Sequence, residues 1–335
     1  MPPYLLLLTC LVVLALFAAA AAGTPTPRRP RIRKLGTIDC DLVETTPFVF
    51  GGRIYRLEWV RTSYRRNRLG KDYLRIVERD TGREVSAFGE GHTFSCALVD
   101  GDTVYVSGSK PQPHLARHAF VVTLFASQDL KTWTQWTALD DPKYGLLNTS
   151  LCKAGRQYVM MFEISYPKAE AGKAFTARFA VSRDMKKWTV TPPECTYAKN
   201  RYTAPHCLRF CDGWYYNFFL EAVGGGRYEQ CVVRSRDLVH WRKSPLNPVL
   251  KASAADRTIA NPRLTARERR RIATARNLNN SDIDLCEYQG KVVINYSWGN
   301  QLGIEHLGEA EFDGTLREFL QAWFPKPARR PGQRG

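Results

Sequence analysis

Apolar residues in this chain fall in short runs, broken at regular intervals by glycine or by an aspartate-containing turn, a pattern of strands rather than helices. Three segments repeat one motif: Ser127-Gln-Asp129-Leu130-Lys-Thr-Trp133, Ser182-Arg-Asp184-Met185-Lys-Lys-Trp188 and Ser235-Arg-Asp237-Leu238-Val-His-Trp241. Each follows a β-like run (AFVVTLFA, FTARFAV, QCVVR) and reads as a strand, then a tight turn whose Asp caps backbone N–H groups, then a Trp heading the next strand. Upstream of each, Gly101, Gly155 and Gly213 separate two apolar runs as hairpin turns, 28, 29 and 24 residues before the motif Asp. The same step finds two degenerate copies, Gly52 to Asp80 (28) and Gly290 to Asp313 (23). Five units of about 58 residues therefore fill 38–325. Four strands repeated five times predict an all-β fold, a five-bladed β-propeller of four-stranded blades.

One insertion, 251–280, breaks the rhythm. Thr265 followed by Glu268 forms a capping box, and a short helix is expected at about 263–278, between blades four and five. At the N-terminus, residues 1–22 carry no charged side chain, and the apolar stretch 4–22 ends in alanines before Gly23. It reads as a cleaved signal peptide of a secreted or periplasmic protein, with an uncleaved anchor as the alternative. Residues 23–37 are then a basic linker, 38–325 the propeller and 326–335 a basic tail.

The 335 residues include 49 Lys+Arg against 32 Asp+Glu, a net charge of +17. Four stretches (28–34, 53–71, 263–276 and 326–335) hold more than this whole excess, so basicity belongs to tails and loops. Nucleic-acid binding wants a continuous basic face or a known module, and neither is present. An anionic glycan remains a partner that suits such loops. The chain is expected to act as a monomer, with no membrane contact beyond the export signal. Cys40, Cys96, Cys152, Cys195, Cys207, Cys211, Cys231 and Cys286 are scattered, several within apolar runs, and read as small buried hydrophobes instead of bridges or zinc ligands.

In a propeller the first strand of each blade lines the channel, and its first residues meet at one mouth, beside the last residues of the second strand. Counting back from each hairpin Gly selects Asp41 and Glu44, Glu90 and His92, Asn148 and Thr149, Thr203 and His206, and Asp282 and Asp284. The second strands end at Glu58 and Trp59, Ser107 and Lys110, Glu163, Glu221, and Trp298 and Asn300. This ring is rich in carboxylates, and Trp59 and Trp298 could serve as flat platforms.

The S-x-D-[L/M]-x-x-W repeat and the five-unit count resemble the five-bladed propeller glycoside hydrolases, families 43, 32 and 117. The resemblance spans nearly all of 38–325, and the repeated motif specifies the scaffold better than the activity. It implies an exported glycoside hydrolase that cleaves oligo- or polysaccharide with one protonated and one ionised carboxylate. The alternatives are a non-catalytic glycan-binding propeller and a phosphate-dependent glycoside phosphorylase resembling family 130, with Arg201, Arg257 and Arg263 as phosphate-pocket candidates. In family 43 the base begins the first blade's inner strand before a Pro; Glu44-Thr-Thr-Pro47 occupies that position, as Glu instead of Asp. Where that family carries Glu-Gly-Pro in blade four, this chain reads Thr203-Ala204-Pro205-His206, and Asn148 stands in place of a blade-three Asp. The acid is then sought at Glu221, Glu163, Asp282 or His206. Catalytic candidates are thus Glu44, Asp282, Glu221 and Glu163; substrate-binding candidates are His92, Asn148, His206, Asp284, Trp298 and Asn300. No organic cofactor is implied; a single Ca²⁺ is possible by the resemblance, without a calcium-loop motif.

Overall fold

A computed structural model describes residues 28–112, 120–173 and 175–325. The segment read above as a signal peptide, 1–22, and the 326–335 tail lie outside the described residues. Five antiparallel sheets, each built on four consecutively paired strands, form a ring. Blade one comprises β2 (Thr46–Phe50), β3 (Arg53–Val60), β4 (Tyr73–Glu78) and β5 (Glu84–Phe88). Blade two comprises β6 (Thr93–Asp100), β7 (Thr103–Pro111), β8 (Phe120–Ser127) and β9 (Thr134–Leu139). Blade three has β10 (Leu146–Ala154), β11 (Gln157–Ile164), β12 (Thr176–Ser182) and β13 (Thr189–Val190), with β14 (Thr196–Tyr197) also pairing to β12. Blade four has β15 (Cys207–Cys211), β16 (Trp214–Gly224), β17 (Arg227–Ser235) and β18 (Arg242–Lys243).

Blade five departs from the sequence reading. Its first three strands are β19 (Asn279–Tyr288), β20 (Lys291–Gly299) and β21 (Glu305–Asp313), but its fourth is β1 (Ile32–Cys40), antiparallel to β21. The expected strand after Asp313 is instead a capped helix, Leu316–Ala322. Part of the supposed basic linker is therefore a strand that closes the ring. Its charges looked like those of a solvated tail because their partners lie more than two hundred residues away. Lys34 Nζ donates to Asp256 Oδ1 (2.6 Å), Asn280 Oδ1 (2.6 Å) and the Lys251 carbonyl (2.7 Å). Gly36, at φ 117°, lets β1 pass the insertion so closely that a β-carbon would collide with the Thr258 carbonyl.

The repeated motif is a turn with a staple. Asp129 Oδ1 accepts the N–H groups of Lys131 (2.7 Å) and Thr132 (2.8 Å), while Leu130 takes a φ of 61°. These bonds hold the Asp129 carboxyl down at about 2. Trp133 then crosses to blade one, stacking on Phe88 at 4.0 Å. Trp241 does the same from blade four to blade three, stacking on Phe179 at 5.9 Å and donating to the Thr196 carbonyl. The apolar core accordingly lies in seams between blades, not in one central body. The insertion carries the expected helix, Ala266–Thr274, with its Thr265–Glu268 capping box. All eight described cysteines are free thiols, five of them buried.

Candidate active site

The five first strands line the channel, and at one mouth three of them are bulged. Register shifts interrupt β6 between Thr93 and Cys96, β10 between Leu146 and Thr149, and β19 between Ser281 and Asp284. Phe94 (φ 50°) and Asp282 (φ 52°) sit in such bulges in left-handed backbone, and Glu44 (φ 52°) does so just before β2. Such backbone costs a non-glycine residue about 1–3 kcal/mol, and here it turns side chains into the channel that regular pleating would direct elsewhere.

The result is a cleft of about 470 Å³. Glu44, Asn148, Glu163, Asp282, Gln301, Glu305 and Arg61 supply its polar groups; Trp59, Phe94, Phe120, Phe175 and Tyr202 supply its aromatic walls. Asn148 Nδ2 donates to Glu44 Oε1 at 3.5 Å, and Glu44 Oε2 is buried without a partner among the described residues. Burial, reinforced by the neighbouring charges of Asp282 and Glu163, raises the Glu44 carboxyl well above the ordinary carboxylate range. Burial, then repulsion from Glu305, raises Asp282 to about 6, against the Ser281 hydroxyl it accepts (2.8 Å) and the more distant Arg61. Glu163 is held differently: its Oε1 accepts both the His206 N–H and Nδ1, each at 3.0 Å. Arg61 bridges Glu305 (2.8 Å) and the Asp41 carbonyl (3.2 Å). Four carboxyls thus share one mouth with a single guanidinium, that of Arg61, already paired with Glu305, and this crowding favours retention of a proton on Glu44.

Of the sequence-derived candidates, Glu44, Asp282, Glu163 and Asn148 line this cleft. The others do not line it, although His206 and Asp284 adjoin it. Glu221 is drawn to the outer part of blade four by Arg201 (2.8 Å) and Lys243 (3.0 Å). Asp284, ion-paired with Arg209 and accepting from Thr46 (2.8 Å), lines a smaller cavity of about 30 Å³ together with His206 and the cleft residues Glu44, Asn148 and Asp282. His206 is buried with both ring nitrogens engaged, by Glu163 and by Thr203 Oγ1 (3.0 Å). His92 is buried against Phe125 with Nε2 bonded to Thr123 Oγ1 (3.0 Å). Trp298 is 1 % exposed and donates to Thr37 Oγ1, so it is core rather than platform, whereas Trp59 does line the cleft. The Asn300 side chain caps the following turn by accepting from the Leu302 and Ile304 amides.

Sequence reasoning missed Arg61, Glu305, Phe94, Phe120, Phe175 and Tyr202. Glu305 begins a third strand, a position that counting from hairpin glycines does not sample. Phe94 carried a usable signal, standing next to the selected Glu90–His92 segment. Among the described residues, no three His, Cys, Asp or Glu side chains converge as a metal site. The arginines proposed for a phosphate pocket lie outside the cleft: Arg201 pairs with Glu221, Arg257 bonds the Ala275 carbonyl, and Arg263 reaches the Asp80 carbonyl. Within the basic loops, Arg66 pairs with Glu268 (2.5 Å) and Arg271 with Asp41 (2.7 Å).

Neither a protein-family model nor a curated protein sequence matches the chain. Solved structures do. An α-L-arabinofuranosidase from Podospora anserina in complex with cellotriose superposes with a TM-score of 0.57 at 9 % identity, covering 87 % of this chain and 99 % of that one. The catalytic domain of a Coprinopsis cinerea GH62 α-L-arabinofuranosidase gives 0.57 at 10 %, covering 86 % and 98 %. A glycosyl hydrolase from Bacteroides ovatus gives 0.51 at 11 %, covering 82 % and 87 %. The chain thus has the five-bladed propeller fold found in glycoside hydrolases.

Proposed function

We propose that the chain is a glycoside hydrolase acting on oligo- or polysaccharide, with Glu44 as general acid and Asp282 as general base or nucleophile. The single observation that carries this reading is the meeting of Glu44, Asp282 and Glu163 in one aromatic-walled cleft. Glu44 is the carboxyl whose surroundings most oppose ionisation, so it holds the proton that a departing glycosidic oxygen needs. Asp282, at about 6, is ionised at neutral pH. In the single-displacement form the C1–O bond breaks, its oxygen takes the Glu44 proton, and water attacks C1 while giving its proton to Asp282. Asn148 donates to Glu44, and His206 fixes Glu163 beside both. The reaction needs carboxylates and water only. This reverses the roles implied by the resemblance, where the Glu44 position is the base.

The likeness at the level of fold supports a carbohydrate ligand, and the exposed Tyr202 offers a face on which a sugar ring can stack. The apolar N-terminal segment supports export of the protein. A second reading, glycan binding without cleavage, is favoured by one observation: blade four contributes no carboxylate to the cleft. The test is product analysis of the full chain with arabinans, fructans, xylo-oligosaccharides, and agar- and carrageenan-derived oligosaccharides, with and without phosphate. Free sugar released by the parent chain, and lost in Glu44→Gln and Asp282→Asn, is the expected result. Binding without release supports the second reading; a sugar phosphate overturns hydrolysis.

A further inference from the structure

Beside the cleft lies a second pocket of about 330 Å³ on the same face of the ring, between blades four and five. We propose that this pocket binds an acidic group, carboxylate or sulfate, carried by a sugar of the glycan whose neutral unit occupies the cleft. The inference deepens the glycoside hydrolase reading and rests on it for the ligand class.

The two cavities have opposite charge. The cleft presents Glu44, Glu163, Asp282 and Glu305 against Arg61 alone, and Arg61 is already paired with Glu305. An anion entering there meets like charge. The second pocket presents Arg227 and Lys251 against Glu229. Both cations are exposed, and neither side chain has a carboxylate partner among the described residues. Their backbones are nevertheless fixed: Arg227 starts β17 opposite Gly224, and the Lys251 carbonyl accepts from Lys34 Nζ (2.7 Å).

An aromatic bridge joins the two cavities. Tyr202 lines the cleft, Tyr228 lines the second pocket, and their rings meet edge to face at 6.0 Å. Tyr202 is 39 % exposed and Val223 is 42 % exposed, two of only four large apolar side chains so exposed among the described residues. Such a strip suits the apolar face of a sugar ring spanning the two sites. The wall behind it is built, not incidental. β16 runs eleven residues, longer than the second strand of any other blade, and carries the Gly224–Gly226 turn outward. Tyr228 N–H donates to Asn279 Oδ1 (2.7 Å), tying this hairpin to blade five.

Isothermal titration with the full chain tests the proposal, using oligogalacturonates, carrageenan-derived sulfated oligosaccharides and neutral xylo- and arabino-oligosaccharides of matched length. The parent chain is expected to bind one acidic series more tightly than the neutral series, and the preference should shrink at high salt. Arg227→Ala/Lys251→Ala raises the Kd for that series about tenfold, as expected for lost charge-assisted contacts, and removes the preference. Arg227→Gln/Lys251→Gln, which keeps side-chain bulk, gives the same result, and the exposed control Arg65→Ala changes nothing. Which acidic series prevails distinguishes carboxylate from sulfate. Equal binding of acidic and neutral ligands, no binding of acidic ligands, or an acidic Kd unmoved in both double variants overturns the proposal. Charge preference without sugar release overturns the hydrolase reading alone, whereas release without charge preference overturns this inference alone.

Discussion

Replacing Asp282 by Asn should make the protein more stable while disabling it. The Asp282 carboxyl is pushed from 3.8 to about 6 by burial and by Glu305, so the folded chain binds this proton more tightly than the unfolded chain. A raised carboxyl adds stability that is complete below 3.8 and is lost as the pH climbs through 6. Across that window the ionising group comes to weaken folding by about 3 kcal/mol. Asn is nearly isosteric and can still accept from Ser281, but it carries no charge. The variant is therefore expected to exceed its parent by about 3 kcal/mol at about pH 8 and to match it at about pH 3. With an unfolding entropy of about 2.1 cal/mol/K per residue, that difference raises Tm by about 4 °C at the higher pH. Thermal unfolding followed by circular dichroism across this pH range, parent and variant side by side, measures this directly. A variant less stable than its parent at the alkaline end, or a gain that does not depend on pH, would refute the picture of a crowded carboxylate cluster.

Other outcomes follow from the same geometry. Glu44→Gln should keep the fold and lower kcat by about 10²–10⁴, read in a steady-state assay on whichever oligosaccharide is cleaved. Arg61→Ala removes a charge that lowers both Asp282 and Glu44, so the acid limb of the pH–rate profile, set by Asp282, should move to higher pH. An unmoved limb would place the titrating base elsewhere. Trp133→Ala loses the stack on Phe88 and should cost about 3 kcal/mol in chemical denaturation, with the blade-one to blade-two seam opening first in hydrogen exchange. Lys34→Ala leaves the buried Asp256 without its cation and should cost about 3–5 kcal/mol, with amide protection falling along Ile32–Cys40.

Most of the architecture was legible because it is local. Hairpin glycines, the Ser-x-Asp turn and its Trp lie within a few residues of the contacts that define them, and repetition multiplied a weak signal fivefold. The closing strand was not legible, since the evidence for β1 is Asp256, Asn280 and β21, at the other end of the chain. The site divided in the same way. Glu44, Asp282, Glu163 and Asn148 could be placed because strand ends converge in any propeller. Telling them from Glu221, His92 or Trp298 required knowing which side chains find partners off the channel: Arg201 and Lys243, Thr123, and Thr37 respectively. Arg61 and Glu305 form a pair across 244 residues, and nothing near either one announces it.

Sharing the last blade between the two ends of the chain also governs the order in which the fold can be completed. β1 is synthesised first among the propeller strands, yet its partner β21 comes last, so β1 stays unpaired until the far end of the chain is present. A circular permutant that joins the ends and opens the chain between Phe88 and Thr93 would place each blade's four strands in uninterrupted succession. It would keep every sheet bond and remove only the long-range closure. Comparing its refolding rate with that of the natural order isolates the kinetic share of topology from the contribution of the contacts themselves.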